Sequence, residues 1–295
     1  MIENNALVSI VIPTYKRSDT LIDAINSVLS QTYSNIEVLV VDDNDPETEW
    51  RTITKNKMMA FDGNPKVKYI QHECNKNGSA ARNTGIKNAS GEYFCFLDDD
   101  DCYYPEKIEK QLKCLEETDA DACFCDYKKN GKDVHIDEKF DFVHNIFLEL
   151  PTPQTSGWLV TKRAVDLLQG FDESYYRHQD YEFLLRFFKA GLVMCKANEI
   201  LYERNITMVD NNPSGKKTEM IKQKLFSDFD DLIQECEIKY PGFRKNLIIS
   251  SKISAFKNYY KSRDIKNCIR LFIECCTVSI SKTMFEFLGV IKSHM

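Results

Sequence analysis

GEYFCFLDDDDCYYPEKI, residues 91–108, decides how this chain is read. The apolar run Tyr93-Phe94-Cys95-Phe96-Leu97 stops at four consecutive carboxylates, Asp98 to Asp101. Like charges repel, so a fold gathers four of them at a strand end only where something positive is held. Three readings are open. A solvated acidic turn is one. A calcium loop is another, but it needs alternating acids, a central glycine and a terminal glutamate, and none of these follows Asp98. The third is a metal–diphosphate site. Mg²⁺ or Mn²⁺ on phosphates takes only one or two protein carboxylates. A strand end can give one acid to the metal and another to ribose hydroxyls.

Working outward, Leu7–Ile12 is a continuous apolar, β-branched run closed by Pro13, the pattern of a buried parallel strand. Ser18 or Asp19 is placed to cap a helix with Leu21, Ile25, Val28 and Leu29 on its apolar face. A second strand, Ile36–Val41, ends in another acidic cluster, Asp42-Asp43-Asn44-Asp45. A polar helix to about Met59, a strand at Val67–Gln71 and a helix opened by Ser79 follow. After the strand Glu92–Leu97, a helix is expected from Pro105, with Asp101 as a charge favoured by its dipole, and then a strand at Ala122–Asp126. This alternation predicts an α/β fold with a doubly wound, mostly parallel sheet, in which ligands sit at the carboxyl ends of the strands. Both acidic clusters then meet at one edge.

Residues 127–150 carry no clear pattern. Pro151–Trp158 reads as a loop into a strand, and Gln179–Ala190 as a helix with Tyr181, Leu184, Leu185 and Phe188 inward. Val209–Lys217 reads as a mobile loop. Everything from Thr218 onward reads as helix, with amphipathic runs at Ile248–Tyr260, Ile265–Cys276 and Met284–Ile291.

The chain has 295 residues and a net charge of −6. Residues 241–295 hold ten Lys/Arg against three acids, so the remainder carries −13. An acidic body with a basic tail suits a cation-dependent site plus a surface for anions, and equally a solvated helical face. Eleven cysteines show no disulfide spacing. With no signal-peptide pattern, the expectation is a reducing cytoplasm with free, mostly buried thiols. No stretch reaches the roughly 18 apolar residues of a membrane span. An acidic body without a basic–aromatic stripe argues against nucleic acid as a partner.

Val8-Ser-Ile-Val-Ile-Pro-Thr-Tyr15, Ser27-Val-Leu-Ser-Gln-Thr-Tyr33, Val40-Val-Asp-Asp43, Ala81-Arg-Asn-Thr-Gly85, Gly91-Glu-Tyr93 and Phe96-Leu-Asp-Asp-Asp-Asp101 resemble, in order and spacing, the family 2 glycosyltransferases of the GT-A fold. The likeness covers roughly residues 7–190. It implies that Pro13, Thr14 and Tyr15, with Arg17 beyond them, line the donor nucleotide. It implies that Asp43 reads the uracil N3–H and Arg82 is a donor-site cation. The D-x-D motif matches Asp98 and Asp100, with Asp100 for Mn²⁺ or Mg²⁺ and Asp98 or Asp99 for ribose. Asp180, in Arg177-His-Gln-Asp180, matches the general base that deprotonates the acceptor hydroxyl. Gln179 stands where the family often has glutamate, so a helper carboxylate is gone. Asn205 stands near where relatives often have histidine, so no metal ligand is expected from that loop. One base and no protein nucleophile imply inversion. Trp158, His178 and Gln179 are the acceptor-site candidates; His72, His135 and His144 fit no ligand spacing.

The implied layout is a catalytic domain over residues 1–217, with a nucleotide half to about 126 and an acceptor half to about 217, then a helical extension over 218–295. The implied reaction moves a sugar from a UDP-sugar to a saccharide or lipid-linked saccharide in surface polysaccharide synthesis. Three fates suit the basic extension: contact with an anionic inner leaflet, packing on the catalytic domain, or a homodimer. Two rivals are a nucleotidyltransferase, which would carry a glycine-rich basic loop after the first strand, and a non-catalytic nucleotide-sugar or glycan binder.

Overall fold

A computed structural model describes residues 5–139, 141–205 and 213–280, with positions 283 and 287. The chain divides into two compact units, residues 1–139 with 153–207, and residues 140–152 with 208–295.

In the first unit β1 (Val8–Thr14), β2 (Ile36–Asp42), β3 (Val67–Gln71) and β4 (Tyr93–Phe96) form a parallel quartet in the order β3-β2-β1-β4. β1 is central, and its Val8, Ile10, Val11 and Ile12 have no exposed surface because helices cover both faces. Thr14 pairs with Asp42, and Val11 with Phe96, so the carboxyl ends of β1, β2 and β4 share one edge. α1 (Ser18–Leu29), α2 (Glu49–Met58) and α3 (Gly78–Asn88) connect the quartet. Leu21, Ile25 and Val28 are buried as the periodicity predicts. The cap is not as predicted: Arg17 occupies that position, with no side-chain hydrogen bond.

Beyond β4 the sheet is mixed rather than continuously parallel. β8 (Leu159–Thr161) is antiparallel to both β4 and β6 (Ala122–Lys129), while β9 (Met194–Arg204) runs parallel to β6. β5 (Cys102–Tyr103) closes the edge against β9, and β7 (Lys132–Val134) pairs with β6. α4 (Lys107–Thr118), α6 (Lys162–Leu168) and α7 (Gln179–Lys189) complete the unit. In α7 Phe183, Leu184, Leu185 and Phe187 are buried, while Tyr181 and Phe188 are only partly so. The inward face is therefore shifted from the predicted one. Asp101 lies before β5, not at the start of α4, so it is not a helix-end charge.

The second unit contains α5 (Phe142–Phe147), α8 (Gly215–Asp228), α9 (Asp230–Lys239), α10 (Phe243–Lys261) and α11 (Ile265–Val278). The expected boundary at 217/218 differs on two counts. Residues 140–152, unplaced from the sequence, belong with the helices, where Phe147 meets Phe226 and Phe243 edge to face. α8 already starts at Gly215, capped by Ser214, so 215–217 is helix. Residues 209–212 of the expected loop lie outside the described residues, as does 284–291 apart from Phe287. Phe256, Leu271, Cys275 and Phe287 share one apolar cluster. Among the described residues no helix is long and apolar enough to cross a membrane.

Candidate active site at the carboxyl edge of the sheet

The four aspartates stand just past the end of β4. Asp98 is about two-fifths exposed and accepts a hydrogen bond from Arg82 Nη2 at 2.7 Å. Asp99 is buried; Arg17 Nη1 lies 3.7 Å from its Oδ1, and its Oδ2 has no hydrogen-bond partner. Asp100 accepts from Arg17 Nη1 at 2.7 Å. Asp101 turns inward, where Ser156 Oγ donates at 2.6 Å and the Asn205 N–H at 3.0 Å. Burial pushes the Asp99 carboxyl up to about 7, with the neighbouring Asp100 and Asp98 adding to the rise and Thr14 and Arg17 opposing it. Burial and Asp98 raise Asp101 further. Arg204, at the end of β9, faces Asp101 and Asp98, and the field of those acids raises its own pKa despite burial. Three guanidiniums therefore stand against the four acids.

On the next strand end, Asp43 is buried and accepts four hydrogen bonds. His72 Nδ1 (2.7 Å) and the Lys76 N–H (2.9 Å) meet Oδ1, and Asn75 Nδ2 (2.8 Å) and the Asn77 N–H (3.0 Å) meet Oδ2. His72 Nε2 continues to Thr84 Oγ1 at 2.8 Å. Asp43 thus anchors the β3–α3 loop, and a base N–H would be a fifth donor on that carboxylate. Asp42 beside it is fully buried and paired with Arg51 and Tyr69.

Asp180 is the second residue of α7, whose N-cap is His178 in the left-handed region at φ +59°. Asp180 is therefore not the cap. Burial raises its pKa; the N–H groups of Tyr181 and of Asp180 itself, together with Arg82, hold the rise down. Gln179 Oε1 accepts from Arg82 Nη1 at 2.8 Å, while its Nε2 donates to the Tyr175 carbonyl. Gly78 makes this approach feasible, because a Cβ there would lie 2.8 Å from Gln179 Oε1. Arg82, stacked over the Phe171 ring, bridges the aspartate run and the start of α7. Lys16 and Asn77, like His178, have φ between +58° and +140°, so three loops at this edge carry unusual backbone.

One acceptor-site expectation needs correction. Trp158 has no exposed surface and stacks on Phe183, so it belongs to the core. Gln179 is partly exposed and bonded to Arg82. His178 is partly exposed beside Tyr181 and stays at the rim. Pro13 and Tyr15 are partly exposed, and Thr14 is buried beside Asp99.

The family model for glycosyl transferase family 2 matches residues 9–178, more than half of the chain. The chain belongs to glycosyl transferase family 2.

Relatives of this family 2 chain include the amylovoran biosynthesis glycosyltransferase AmsB of Erwinia amylovora, 30% identical over 74% of this chain and 75% of AmsB. An uncharacterized glycosyltransferase of Rickettsia conorii is 39% identical over 48% of this chain, which spans only 22% of that protein's length. The Escherichia coli UDP-Glc:alpha-D-GlcNAc-diphosphoundecaprenol beta-1,3-glucosyltransferase WfgD is 35% identical over 41% of this chain and 46% of its own. Among solved structures, Staphylococcus aureus TarS 1-349 in complex with UDP-GlcNAc superposes with a TM-score of 0.61 at 17% identity, covering 90% of each chain. The Pyrobaculum calidifontis mannosyltransferase PcManGT, in complex with GDP-Man and Mn²⁺, gives 0.60 at 13% identity, covering 96% and 80%. These likenesses show the GT-A fold.

Sequence reasoning missed Arg204, His72, Ser156 and Phe171 in this family 2 site. A cation at a strand's carboxyl end was a usable signal for Arg204. The other three act through partners distant in sequence, and nothing local marks them.

Proposed function

We propose that the chain is an inverting, divalent-cation-dependent glycosyltransferase, moving a sugar from a UDP-sugar to a saccharide or lipid-linked saccharide acceptor in surface polysaccharide synthesis. One observation carries the proposal. Asp180, a carboxylate of raised pKa at a helix start, is tied through Gln179 and Arg82 to Asp98 of the aspartate run. A base and a cation-binding edge are thus held in one frame, as direct displacement requires.

Asp180 takes the proton of the acceptor hydroxyl. Arg82 and Arg17, no longer needed against the acids once a donor is bound, lie where a diphosphate would need them. Asp43, fixed by four donors, offers the uracil N3–H an acceptor that needs no reordering. The donor set fits a hard cation: adjacent carboxylates, with Asp99 Oδ2 buried and lacking a hydrogen-bond partner. Asp100, aided by Asp98 or Asp99, would hold Mn²⁺ or Mg²⁺. The bound cation supplies neutralisation of the charge growing on the leaving diphosphate. The UDP-Glc in the name of WfgD and the UDP-GlcNAc held by TarS support UDP as the nucleotide, AmsB supports a role in polysaccharide synthesis, and the diphosphoundecaprenol acceptor of WfgD supports a lipid-linked acceptor.

In the second unit, Ile265, Ile269 and Ile273 are exposed on α11, within the basic stretch 241–295. We take this face to rest on an anionic bilayer, where a lipid-linked acceptor would be found.

Calorimetric titration of UDP, GDP and CMP, each with and without Mn²⁺, tests the donor site. UDP binding that needs Mn²⁺ and is lost in Asp100→Ala is expected. Binding indifferent to both overturns the cation site. UDP binding without turnover on any acceptor favours the non-catalytic binder.

A further inference from the structure

Away from the sheet edge just described, three thiols converge from three elements. Cys114 lies on α4, Cys123 on β6 and Cys195 on β9, and their sulfurs all lie within 4.8 Å of one another. Cys123 and Cys195 are direct partners in the parallel β6–β9 register. α4 lays Cys114 over the pair, with its sulfur 3.2 Å from that of Cys195. Cys123 is buried, whereas Cys114 and Cys195 are partly exposed. Among the described residues, this is the one group of three or more His, Cys, Asp or Glu side chains whose ligand atoms approach so closely.

We infer that Cys114, Cys123 and Cys195 form a metal site for a soft, thiophilic d¹⁰ cation, Zn²⁺ or Cu⁺. Zinc–sulfur bonds of about 2.3 Å in tetrahedral array put sulfurs about 3.8 Å apart, inside the spread seen here. The partial exposure of Cys114 and Cys195 gives the ion a way in and leaves solvent access for an external fourth ligand. Soft thiolates and the hard carboxylates of the donor edge select different ions, so the two sites do not compete. Binding is a proton-for-metal exchange: each S–H gives its proton to solvent as its sulfur–metal bond forms, with no change of oxidation state.

The site lies below the donor edge. Cys123 and Cys95 both pair with Leu159 of β8, so Cys123 is level with a residue that precedes the aspartate run in β4. Its effect is to pin α4, the helix that follows the aspartates, onto β6 and β9.

The test is Co²⁺ titration of the reduced full chain. The expected result is a thiolate-to-cobalt charge-transfer band with tetrahedral d–d bands, saturating stoichiometrically, releasing protons and displaced by Zn²⁺. Cys123→Ser should abolish the signal. Cys114→Ser, at a partly exposed helix position that keeps the fold, should weaken the affinity at least about tenfold. Asp100→Ala and Cys276→Ser should leave the signal unchanged, which separates this site from the donor site and from thiols at large. Zn²⁺ should raise the melting temperature of the parent and not of Cys123→Ser. Oxygen-ligated Co²⁺ bands that persist in Cys123→Ser would overturn the site. So would a Cys114–Cys195 disulfide forming in air in a chain that, when reduced, retains no metal.

Discussion

At Asp180 two forces pull against each other: burial favours the neutral acid, while helix N–H groups and Arg82 favour the carboxylate. Burial wins, so the pKa is raised, and the proposed base would be lost as pH falls through a value above the ordinary carboxylate range near 4. The rate should rise with pH through that value and then level off. Asp180→Asn should cut transfer by about 10²–10⁴-fold, erase this acid limb and leave UDP affinity within twofold, as stopped assays and calorimetry would show. A variant transferring at near the parent rate would mean another base. Gln179→Glu places a second carboxylate beside Asp180, and like charge favours protonation, so the acid limb should move to higher pH. Arg17 holds Asp100 through a 2.7 Å bond, so it would compete with the proposed cation there. Arg17→Ala should therefore bind Mn²⁺ more tightly without nucleotide, yet bind UDP more weakly; calorimetry in both orders measures this.

Elements explain motif residues that have no chemistry of their own. Gly85 lets α3 lie on β1, because a Cβ there would fall 2.2 Å from Val11 Cγ1. Val11 is fully buried in the central strand and cannot step aside. Gly85→Ala gains up to about 1 kcal/mol of helix propensity but meets overpacking of about 1–3 kcal/mol, so its urea midpoint should drop. In the second unit Asp141 caps α5 through the His144 N–H and pairs with Lys239 at 2.7 Å. Burial pushes its pKa up, but Lys239, the His144 N–H and Tyr240 together push harder, and the net shift is downward. A lowered folded pKa stabilises above the unfolded value near 3.9, and that stability is lost as pH falls through the folded one. Asp141→Ala should cost about 1 kcal/mol or somewhat more at neutral pH and progressively less as the pH falls below the ordinary carboxylate range, by chemical denaturation across that series.

At the scale of the whole molecule, charge is divided between an acidic body and the basic stretch 241–295, whose exposed isoleucines on α11 add an apolar face. Co-sedimentation should show binding to anionic vesicles that fades with salt and is weakened by Ile269→Glu; equal binding to neutral vesicles would refute it. Leu271 and Phe287, on the same amphipathic runs, face the unit's own core instead. The parallel quartet, its acidic edge and the helix bearing Asp180 were legible in the sequence, because periodicity, strand-end charge and helix starts are local signals. Residues 140–152 were not, since joining α8–α11 is a choice of partner that no local pattern encodes. The same holds for Trp158, whose aromatic ring suits a sugar platform or a core equally until Phe183 stacks on it. The sequence by itself determined the parallel quartet and the acidic clusters at its carboxyl edge. Only the tertiary structure decided that Arg17, Arg82 and Arg204 offset the aspartates, that Gln179 and Arg82 tie the start of α7 to them, and that three cysteines far apart in sequence meet. Contacts across a sheet are fixed by register and packing, and those are settled when the whole chain is folded.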